Sequence, residues 1–278
     1  MALNNSKSIF VTFGAGRSGW LGAAKRITAE AEKTGLFEFC FNLDEQWLKT
    51  WDPDIYKIGL NLRKNHPPRG FGYWTWKPSV LLWAHLNFPS HQLVYVDAGS
   101  EFDCTKETFV SLGKILDESF TSGGLAWQLP DHSEICWTKK ESLLAFNATM
   151  EMQHSSQIQS GFIAIPPTLT RPLIIADWRS WAIAKEGYFF TDQMTFNASA
   201  KFQEHRHDQS MLSLLWKKYN LPAPLDLTSP PHSTELGLRA SRNNSYRPSD
   251  AKTVIKTTYK YYYLAKDYLL GRNDKWLR

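Results

Sequence analysis

The sequence has little cysteine and no long hydrophobic run, and both absences narrow the class of protein. Cys40, Cys104 and Cys136 are the three cysteines in 278 residues, they lie far apart and they form no CxxC pair. A disulfide-stapled scaffold is therefore excluded, and a reducing compartment is favoured. No apolar run approaches the roughly 18–20 residues of a membrane span, and the first residues do not resemble a secretory signal. We expect a cytoplasmic protein.

Most of the chain has no excess of basic over acidic residues. The formal net charge is +5, but the first 251 residues carry equal numbers of acidic and basic residues, so the whole excess lies in residues 252–278. Domains that bind nucleic acid place their basic excess on the folded body, so no nucleic-acid partner is expected. With 42% hydrophobic residues, 16 glycines and 14 prolines, the rest is typical of a folded globular protein.

Short apolar runs alternate with amphipathic segments, and this alternation predicts an α/β fold with a mostly parallel central sheet flanked by helices. The predicted strands are residues 9–13, 36–41, 92–96, 125–129 and 157–165. The predicted helices are residues 20–33, 52–62, 78–86, a helix from 105, 172–186 and 208–219. In addition, Thr138-Lys-Lys-Glu141 matches a capping box, which predicts a helix start at this point.

Two domains or segments are expected. Residues 1–221 form the predicted catalytic domain, and residues 222–278 form a proline-containing arm followed by a basic, aromatic C-terminal helix. Lysines at helical spacing with interleaved tyrosines suit an anionic membrane surface, so the protein is expected to be peripheral to the inner face of the cytoplasmic membrane. The alternative is a helix packed on the domain with its lysines in water.

A glycine-rich turn follows the first predicted strand. Gly14-Ala-Gly16-Arg-Ser-Gly19 matches GxGxxG, which directs backbone amides and a helix N-terminus toward a phosphate. Glu38 lies near the distance expected for a ribose-binding acid, so one alternative is an NAD(P)-dependent oxidoreductase. A tight turn with no ligand, or a turn that holds another nucleotide, is the other interpretation.

Aromatic rings and two cations crowd into residues 69–78, whose sequence is Arg-Gly-Phe-Gly-Tyr-Trp-Thr-Trp-Lys-Pro. Tryptophan and tyrosine faces suit sugars or bases, and Arg69 and Lys77 suit phosphate. Core packing is the alternative for Tyr73 and Trp76. Lys77 stands before a predicted helix, where a cation is unfavourable, and so it requires a nearby anion.

Three further segments carry polar groups at the ends or in the middle of predicted elements. Asp97 ends an apolar strand and Glu101 follows it, where carboxylates suit a divalent cation or simply cap a turn. Gly161 lies inside a strand, which indicates either a close approach to the backbone or a bulge. Asp208 suits a helix N-cap or a reactive carboxylate, whereas Gln209 has no structural reason to follow it.

Together these motifs resemble GT-A type nucleotide-sugar glycosyltransferases. Residues 70–78 followed by 93–99 look like bacterial enzymes of surface-polysaccharide synthesis, and the order of motifs is similar to the glycogenin and lipooligosaccharide galactosyltransferase family. The resemblance implies a hexosyltransferase-like enzyme that moves a sugar from a nucleoside diphosphate sugar, with UDP-sugar the first guess, to a hydroxyl of a glycan or lipid-linked glycan. The Asp-Gln similarity favours retention of configuration.

The resemblance also implies site residues. The residues expected to bind the donor are Phe13, Gly14, Arg17, Lys77, Asp97, Ala98, Gly99, Ser160 and Gly161. Acceptor binding falls to Tyr73, Trp76 and His207, and catalysis to Asp208 and Gln209 beside the anomeric carbon. Mn²⁺ or Mg²⁺ would be held by Asp97, Glu101 and His232.

One departure from the family pattern bears on the metal. Gly99 stands where the family has its second aspartate, so Glu101 or Asp103 would have to replace it. Lys77 and the histidines are the alternative partners of the leaving diphosphate. No organic cofactor is expected. A non-catalytic carbohydrate-binding protein is the remaining alternative.

Overall fold

The computed structural model describes residues 7–16, 18–67, 69–102, 106–197, 200–228 and 236–241. Within these residues the strands are β1 (Ser8–Gly14), β2 (Phe39–Asp44), β3 (Gln92–Val96), β4 (Glu101–Phe102), β5 (Leu125–Ser133), β6 (Ser156–Ile165) and β7 (Leu238–Arg239). The helices are α1 (Ser18–Thr34), α2 (Glu45–Trp51), α3 (Pro53–Asn65), α4 (Lys77–Asn87), α5 (Lys106–Ser122), α6 (Glu134–Trp137), α7 (Lys140–Phe146), α8 (Met150–His154), α9 (Thr170–Ile183) and α10 (Asp208–Lys218). Two 3₁₀ segments, Gly72–Trp74 and Ala184–Phe190, complete the described elements.

The main sheet has five strands in the order β2-β1-β3-β6-β5. β1 pairs in parallel with β2 and β3, whereas β6 is antiparallel to both β3 and β5. Four of the five strands therefore run in one direction, and the predicted α/β fold with a mostly parallel sheet is confirmed. Because β6 is reversed, its middle lies beside the carboxyl end of β3: the amide of Asp97 donates to the Gly161 carbonyl at 2.9 Å.

Alternate residues of the central strands face two hydrophobic cores, as the two-residue period of a strand requires. Ile9 and Val11 of β1 pack in the larger core with α3, α4, α9 and α10. Phe10 packs on the other face with Ile27 of α1 and Leu112 of α5. The sheet is thus covered by helices on both faces, which leaves the carboxyl ends of β1 and β3 to form one edge.

The helix predicted to start at residues 138–141 is present, but the capping box that predicted it does not form. α7 begins at Lys140, and no side chain caps it. Thr138 instead donates its hydroxyl hydrogen bond to Glu134, and Glu141 accepts from the backbone amides of Thr195 and Phe196. Both side chains prefer distant partners in the folded chain, which a local motif does not reveal.

The described part of the arm packs against the body. The amide of Gln128 in β5 donates to the Pro224 carbonyl at 2.7 Å, and Leu236 and Leu238 are buried in the second core. The boundary at residue 221 stays a prediction, and the basic tail lies outside the described residues. None of the described helices combines the length and hydrophobicity needed to cross a bilayer.

Candidate active site

A cleft of about 510 Å³ opens at the carboxyl ends of β1 and β3, a size typical of ligand pockets. In open α/β sheets this edge is where ligands bind. It brings together residues that the sequence predicted from segments far apart in the chain. The predicted site residues that line it are Phe13, Trp76, Lys77, Asp97, Ala98, Gly99, Ser160, Gly161, His207, Asp208 and Gln209.

The floor of the cleft is an ion-pair cluster built on Lys77. Its Nζ lies 3.0 Å from Oδ1 of Asp97 and 2.7 Å from Oδ2 of Asp208, and it also donates to Oγ of Ser160 at 3.1 Å. The Lys77 side chain is only 3% exposed and that of Asp208 only 6%, whereas that of Asp97 is 41% exposed. The sequence prediction that Lys77 requires an anion is confirmed, because it has two.

Asp97 is positioned from three sides. Its Oδ1 accepts from the Tyr95 hydroxyl at 2.7 Å as well as from Lys77. On the β6 side, a Cβ added to Gly161 would lie 3.3 Å from Oδ2 of Asp97. Glycine at this position therefore lets the carboxylate approach the strand, and the pairing of β6 with β5 is also irregular here, so the structure shows both the close approach and the bulge. The outer side of the Asp97 carboxylate faces the cleft.

Asp208 is the first residue of α10 rather than its N-cap. Its Oδ2 accepts from Ser160 at 2.7 Å and from Lys77, and no hydrogen bond to the helix amides is recorded for this described residue. Burial raises the pKa of Asp208, Lys77 opposes this rise, and the nearby Asp97 adds to it. Burial by itself lowers the pKa of Lys77, but Asp208 and Asp97 outweigh burial and leave that pKa raised. The cluster thus holds one cation and two carboxyl groups at the edge of water.

Rings of the aromatic segment form one wall. Trp76 stacks on Phe13 with ring centroids 4.0 Å apart and donates its indole N–H to the Phe71 carbonyl. Trp74 stacks on the His207 imidazole at 5.3 Å, with 23° between the planes. Both tryptophans line the cleft. Flat apolar faces beside polar groups suit the alternating faces of a sugar ring.

Arg69 and Arg206 line the cleft wall, and Glu204 lies within 4 Å of both guanidinium groups. Arg69 is half exposed, and it pairs with Glu204 at 2.5 Å and with Asp192 at 3.3 Å. The Arg206 guanidinium lies over the Trp137 ring, 4.5 Å from its centroid. The sequence analysis predicted a phosphate-binding role for Arg69, but it assigned no role to Arg206 or Glu204. Their common position depends on the loop before α10 folding back onto residues 69–76, and no local signal predicts this.

Other predicted residues lie away from the cleft. Gly14 packs against α1, since a Cβ there would meet the Trp20 carbonyl at 2.5 Å. Tyr73 is buried, with its hydroxyl bonded to the Pro67 carbonyl at 2.8 Å. Glu101 forms an ion pair with Arg239 at 2.7 Å, because β4 pairs with β7. Arg17 and His232 fall outside the described residues.

Two observations at the glycine turn argue against a dinucleotide site: the turn amide is already bonded to a carboxylate, and Glu38 lies at the wrong edge of the sheet. The amide of Gly16 donates to the carboxylate of Glu45, so an internal anion already sits at this turn. Glu38 lies at the amino end of β2, where its amide bonds to the Ser8 carbonyl, and this is the edge of the sheet opposite to the cleft. A ribose-binding acid would be needed at the carboxyl end. The prediction for Glu38 is therefore wrong.

Of the residues predicted to hold a metal, the structure describes Asp97 and Glu101, which do not come together, whereas Asp103 and His232 lie outside the described residues. Asp97 faces the cleft, but Glu101 is paired elsewhere and Gly99 offers no side chain. Among the residues that the structure describes, no group of three or more His, Cys, Asp or Glu side chains is placed to hold an ion. A divalent cation prefers several oxygen ligands, and here Lys77 already lies between the two carboxylates.

The fold and the cleft define an α/β protein with a buried cation–carboxylate cluster at the ligand-binding edge of its sheet. No family profile matches the sequence, and no curated protein is similar enough to it to count as a match.

Three solved structures are distantly similar in overall fold. One is a glycosyltransferase involved in the glycosylation of the major capsid of PBCV-1, at 13% identity and a TM-score of 0.37, covering 71% of this chain and 81% of that one. Mouse xyloside xylosyltransferase 1 shows 10% identity and a TM-score of 0.42, with coverage of 87% and 100%. The bifunctional glycosyltransferase WbbM shows 12% identity and a TM-score of 0.42, with coverage of 81% of this chain and 39% of that chain.

Proposed function

We propose that this protein is a glycosyltransferase that moves a sugar from a nucleoside diphosphate sugar to a hydroxyl of a glycan. The observation that carries the proposal is the cluster in which Lys77 bridges Asp97 and Asp208 beneath an aromatic cleft. A binding module has no need to bury a carboxyl group such as that of Asp208 beside a buried ammonium group. Groups with perturbed pKa values in a cleft are typical of catalytic sites.

The proposed chemistry follows the charge that develops in the reaction. As the anomeric bond to the diphosphate breaks, positive charge grows on the sugar and negative charge grows on the leaving diphosphate. Asp208 lies beside the anomeric carbon and stabilises the positive charge. Lys77 fixes its carboxylate and favours its ionised form.

The remaining cleft residues bind the two sugars. Asp97 presents a carboxylate oxygen to donor hydroxyls, and Ser160 and Gly161 face the donor from β6. Trp74 receives the apolar face of a sugar ring, whereas Trp76 is buried against Phe13 and supports the wall from behind. Gln209 reaches the cleft but also donates to Gln157 at 2.6 Å, so its first role is to hold the start of α10 against β6.

The finer parts of the proposal rest on the sequence resemblance. They are a hexose donor carried by UDP, an acceptor of surface-polysaccharide synthesis that is a glycan or a lipid-linked glycan, and work at the inner face of the cytoplasmic membrane. A metal, if one takes part, is recruited together with the diphosphate, because the described side chains do not form a site by themselves. No organic cofactor is proposed.

A ligand screen by thermal shift tests the class of protein. UDP, GDP, CMP and NAD(P) are each added with and without Mn²⁺, and a ligand at 100 times its Kd stabilises the fold by about 2.7 kcal/mol. A nucleoside diphosphate should raise Tm. A response to NAD(P) alone would identify the oxidoreductase, and binding of glycans with no nucleotide response would identify a binding module. A response that requires Mn²⁺ would show recruitment of the metal.

Transfer assays then test the residues. Asp97→Ala and Asp208→Ala should each lower the rate of transfer at least about 10²-fold, as expected when a preorganised charge is removed. Asp177→Ala is the matched control. This aspartate lies on α9, outside the cleft, and it accepts hydrogen bonds from Lys218 at the end of α10 and from Tyr219, which follows it. Full activity in either cleft variant, with a normal Tm, would remove the assignment.

A further inference from the structure

His207 has the most unusual backbone in the cleft. Its φ of 54° and ψ of −118° lie in a region that favours glycine, yet it is a bulky residue directly before α10. Tyr73 and Trp74, whose φ values are 53° and 59°, contact its ring from the opposite segment. Strained residues of this kind cluster at functional sites, where the surrounding packing holds them in place.

The hydrogen bonds of the ring define which nitrogen is available. Nδ1 of His207 lies 2.8 Å from the Phe190 carbonyl, which only accepts, so the proton is assigned to Nδ1. Nε2 is then left with a lone pair. Within the described residues the ring makes its hydrogen bond through Nδ1 and none through Nε2, and the side chain, which is 6% exposed, lines the cleft.

The neighbouring His205 is different. Its Nδ1 accepts from the amide of Lys139 at 3.2 Å, and its Nε2 lies 2.8 Å from the Phe189 carbonyl. Both nitrogens are used inside the protein, so His205 is structural. Of these two adjacent histidines, His207 alone keeps a nitrogen for a ligand.

The ring is held by two aromatic side chains and by its hydrogen bond to the Phe190 carbonyl. Trp74 stacks on it at 5.3 Å, and Tyr73 meets it edge-on at 5.1 Å. Trp74 also lines the cleft, so a sugar ring beside this tryptophan lies next to the imidazole ring. The strained backbone, the Phe190 carbonyl and the two rings therefore all fix one orientation of one nitrogen.

Resting on the proposed function, we propose that His207 is the catalytic base of the transfer. Nε2 accepts the proton of the acceptor hydroxyl while that oxygen forms its bond to the anomeric carbon. The bond from the anomeric carbon to the diphosphate oxygen breaks in the same step, and its electron pair leaves with the diphosphate. A direct displacement of this kind inverts the configuration at the anomeric carbon, in contrast to the retention that the sequence resemblance favours.

The charges around the ring suit this role. Burial lowers the pKa of His207, so the ring is neutral at pH 7 and ready to accept a proton. Asp192 and Asp208 oppose this effect and stabilise the imidazolium once it forms. The other titratable or charged groups that face it are Arg69, Glu204, His205 and Tyr73.

The test uses the full chain with a donor and acceptor found by the screen. His207→Asn is the variant, because the asparagine amide can still donate to the Phe190 carbonyl in place of Nδ1. We expect kcat to fall by about 10²–10⁴-fold, with an unchanged donor-induced rise in Tm. The wild type should lose kcat/KM as pH falls through a value below 6.5, and this acidic limb should disappear in the variant.

His154→Asn on the exposed helix α8 is the matched control and should leave the rate and the pH profile unchanged. The anomeric configuration of the wild-type product, read by NMR, does not depend on whether a variant folds, and inversion is expected. Retention, or a His207→Asn variant within threefold of the wild-type kcat, would overturn the base while leaving the proposed transferase intact. No transfer from any nucleotide sugar by the wild type would instead overturn the proposed function.

Discussion

Lys77 places a positive charge at the first residue of α4, where the helix dipole is already positive. The position is tolerated because β3 and α10 each bring a carboxylate to its Nζ. One residue thus connects three elements, and its neighbours Asp97 and Asp208 have few alternative positions. The same compactness makes the cluster costly, since two carboxyl groups share one ammonium in a largely buried position.

This cost predicts that Asp208→Asn stabilises the fold while it removes activity. The pKa of Asp208 is raised by burial and by Asp97, so the folded state disfavours its ionised form. Wild-type stability therefore falls as pH rises from the unfolded value of 3.8 through the raised folded value. Asparagine keeps an oxygen for Lys77 and Ser160 and leaves Lys77 paired with Asp97. Asp208 is also the charge that most raises the pKa of the buried Lys77, so part of the stabilisation is lost with it. We expect a small net gain in the free energy of unfolding at pH 7, and a smaller gain near pH 4.

Denaturant unfolding of both proteins at several pH values measures this difference. Asp52→Asn is the matched control with the opposite sign. Burial raises the pKa of Asp52, but hydrogen bonds from Arg179 and Ser79 outweigh burial and hold that pKa below its usual value. Asp52→Asn should therefore destabilise the fold at neutral pH. A loss of stability in Asp208→Asn as large as that in Asp52→Asn would show that burial of the Asp208 charge does not destabilise the fold.

At the scale of elements, the aromatic segment depends on a close backbone approach to α3. A Cβ on Gly72 would lie 2.5 Å from the Cα of Gly59, and Gly72 also has a φ of +55°. The 3₁₀ segment Gly72–Trp74 can therefore lie directly on the helix. This contact fixes Trp74, which in turn fixes the His207 ring.

Gly72→Ala should therefore destabilise the protein by more than its backbone angle alone requires. Gly35 offers the matched control, because it has a φ of +67° and open space around its missing Cβ. Gly35→Ala should cost about 1 kcal/mol, the usual lower limit for backbone strain, and Gly72→Ala at least about 2 kcal/mol more because helix and segment must separate. Urea unfolding gives both values. Equal losses in the two variants would show that the contact with Gly59 adds nothing.

The elements themselves were predicted where the local pattern is strong. β1, β3 and β6 lie within one residue of the predicted strands at each end, because each contains a short hydrophobic run that is buried in the sheet, at residues 9–11, 93–96 and 162–165. β2 starts three residues later than predicted, since Leu36 and Phe37 pack in the second core before the strand begins. β4 and β7 are two residues long and exist only as partners of each other, so neither has a signal of its own.

At the scale of the whole molecule, the cleft was predictable in its floor but not in its wall. Lys77, Asp97 and Asp208 each stood out by residue type at the end of an element, and the parallel order of strands brings such ends together. Arg206 and Glu204 belong to the loop before α10, and Arg69 meets Glu204 only after that loop folds over the cleft. The orientation of His207 depends on the Phe190 carbonyl from a third segment.

The distribution of charge over the molecule leads to the last prediction. The +5 net charge lies in residues 252–278, outside the described body, so we expect salt-sensitive binding to vesicles of anionic lipid. Lys252, Lys256 and Lys260 changed together to Gln should weaken binding about a hundredfold, because each lysine near the surface contributes about 1 kcal/mol. Deletion of 252–278 should abolish binding in co-sedimentation, while transfer to a water-soluble acceptor continues. Persistent vesicle binding after the deletion would contradict a membrane role for residues 252–278. If the full chain does not bind vesicles and the deletion lowers Tm, the segment is instead a helix packed on the body.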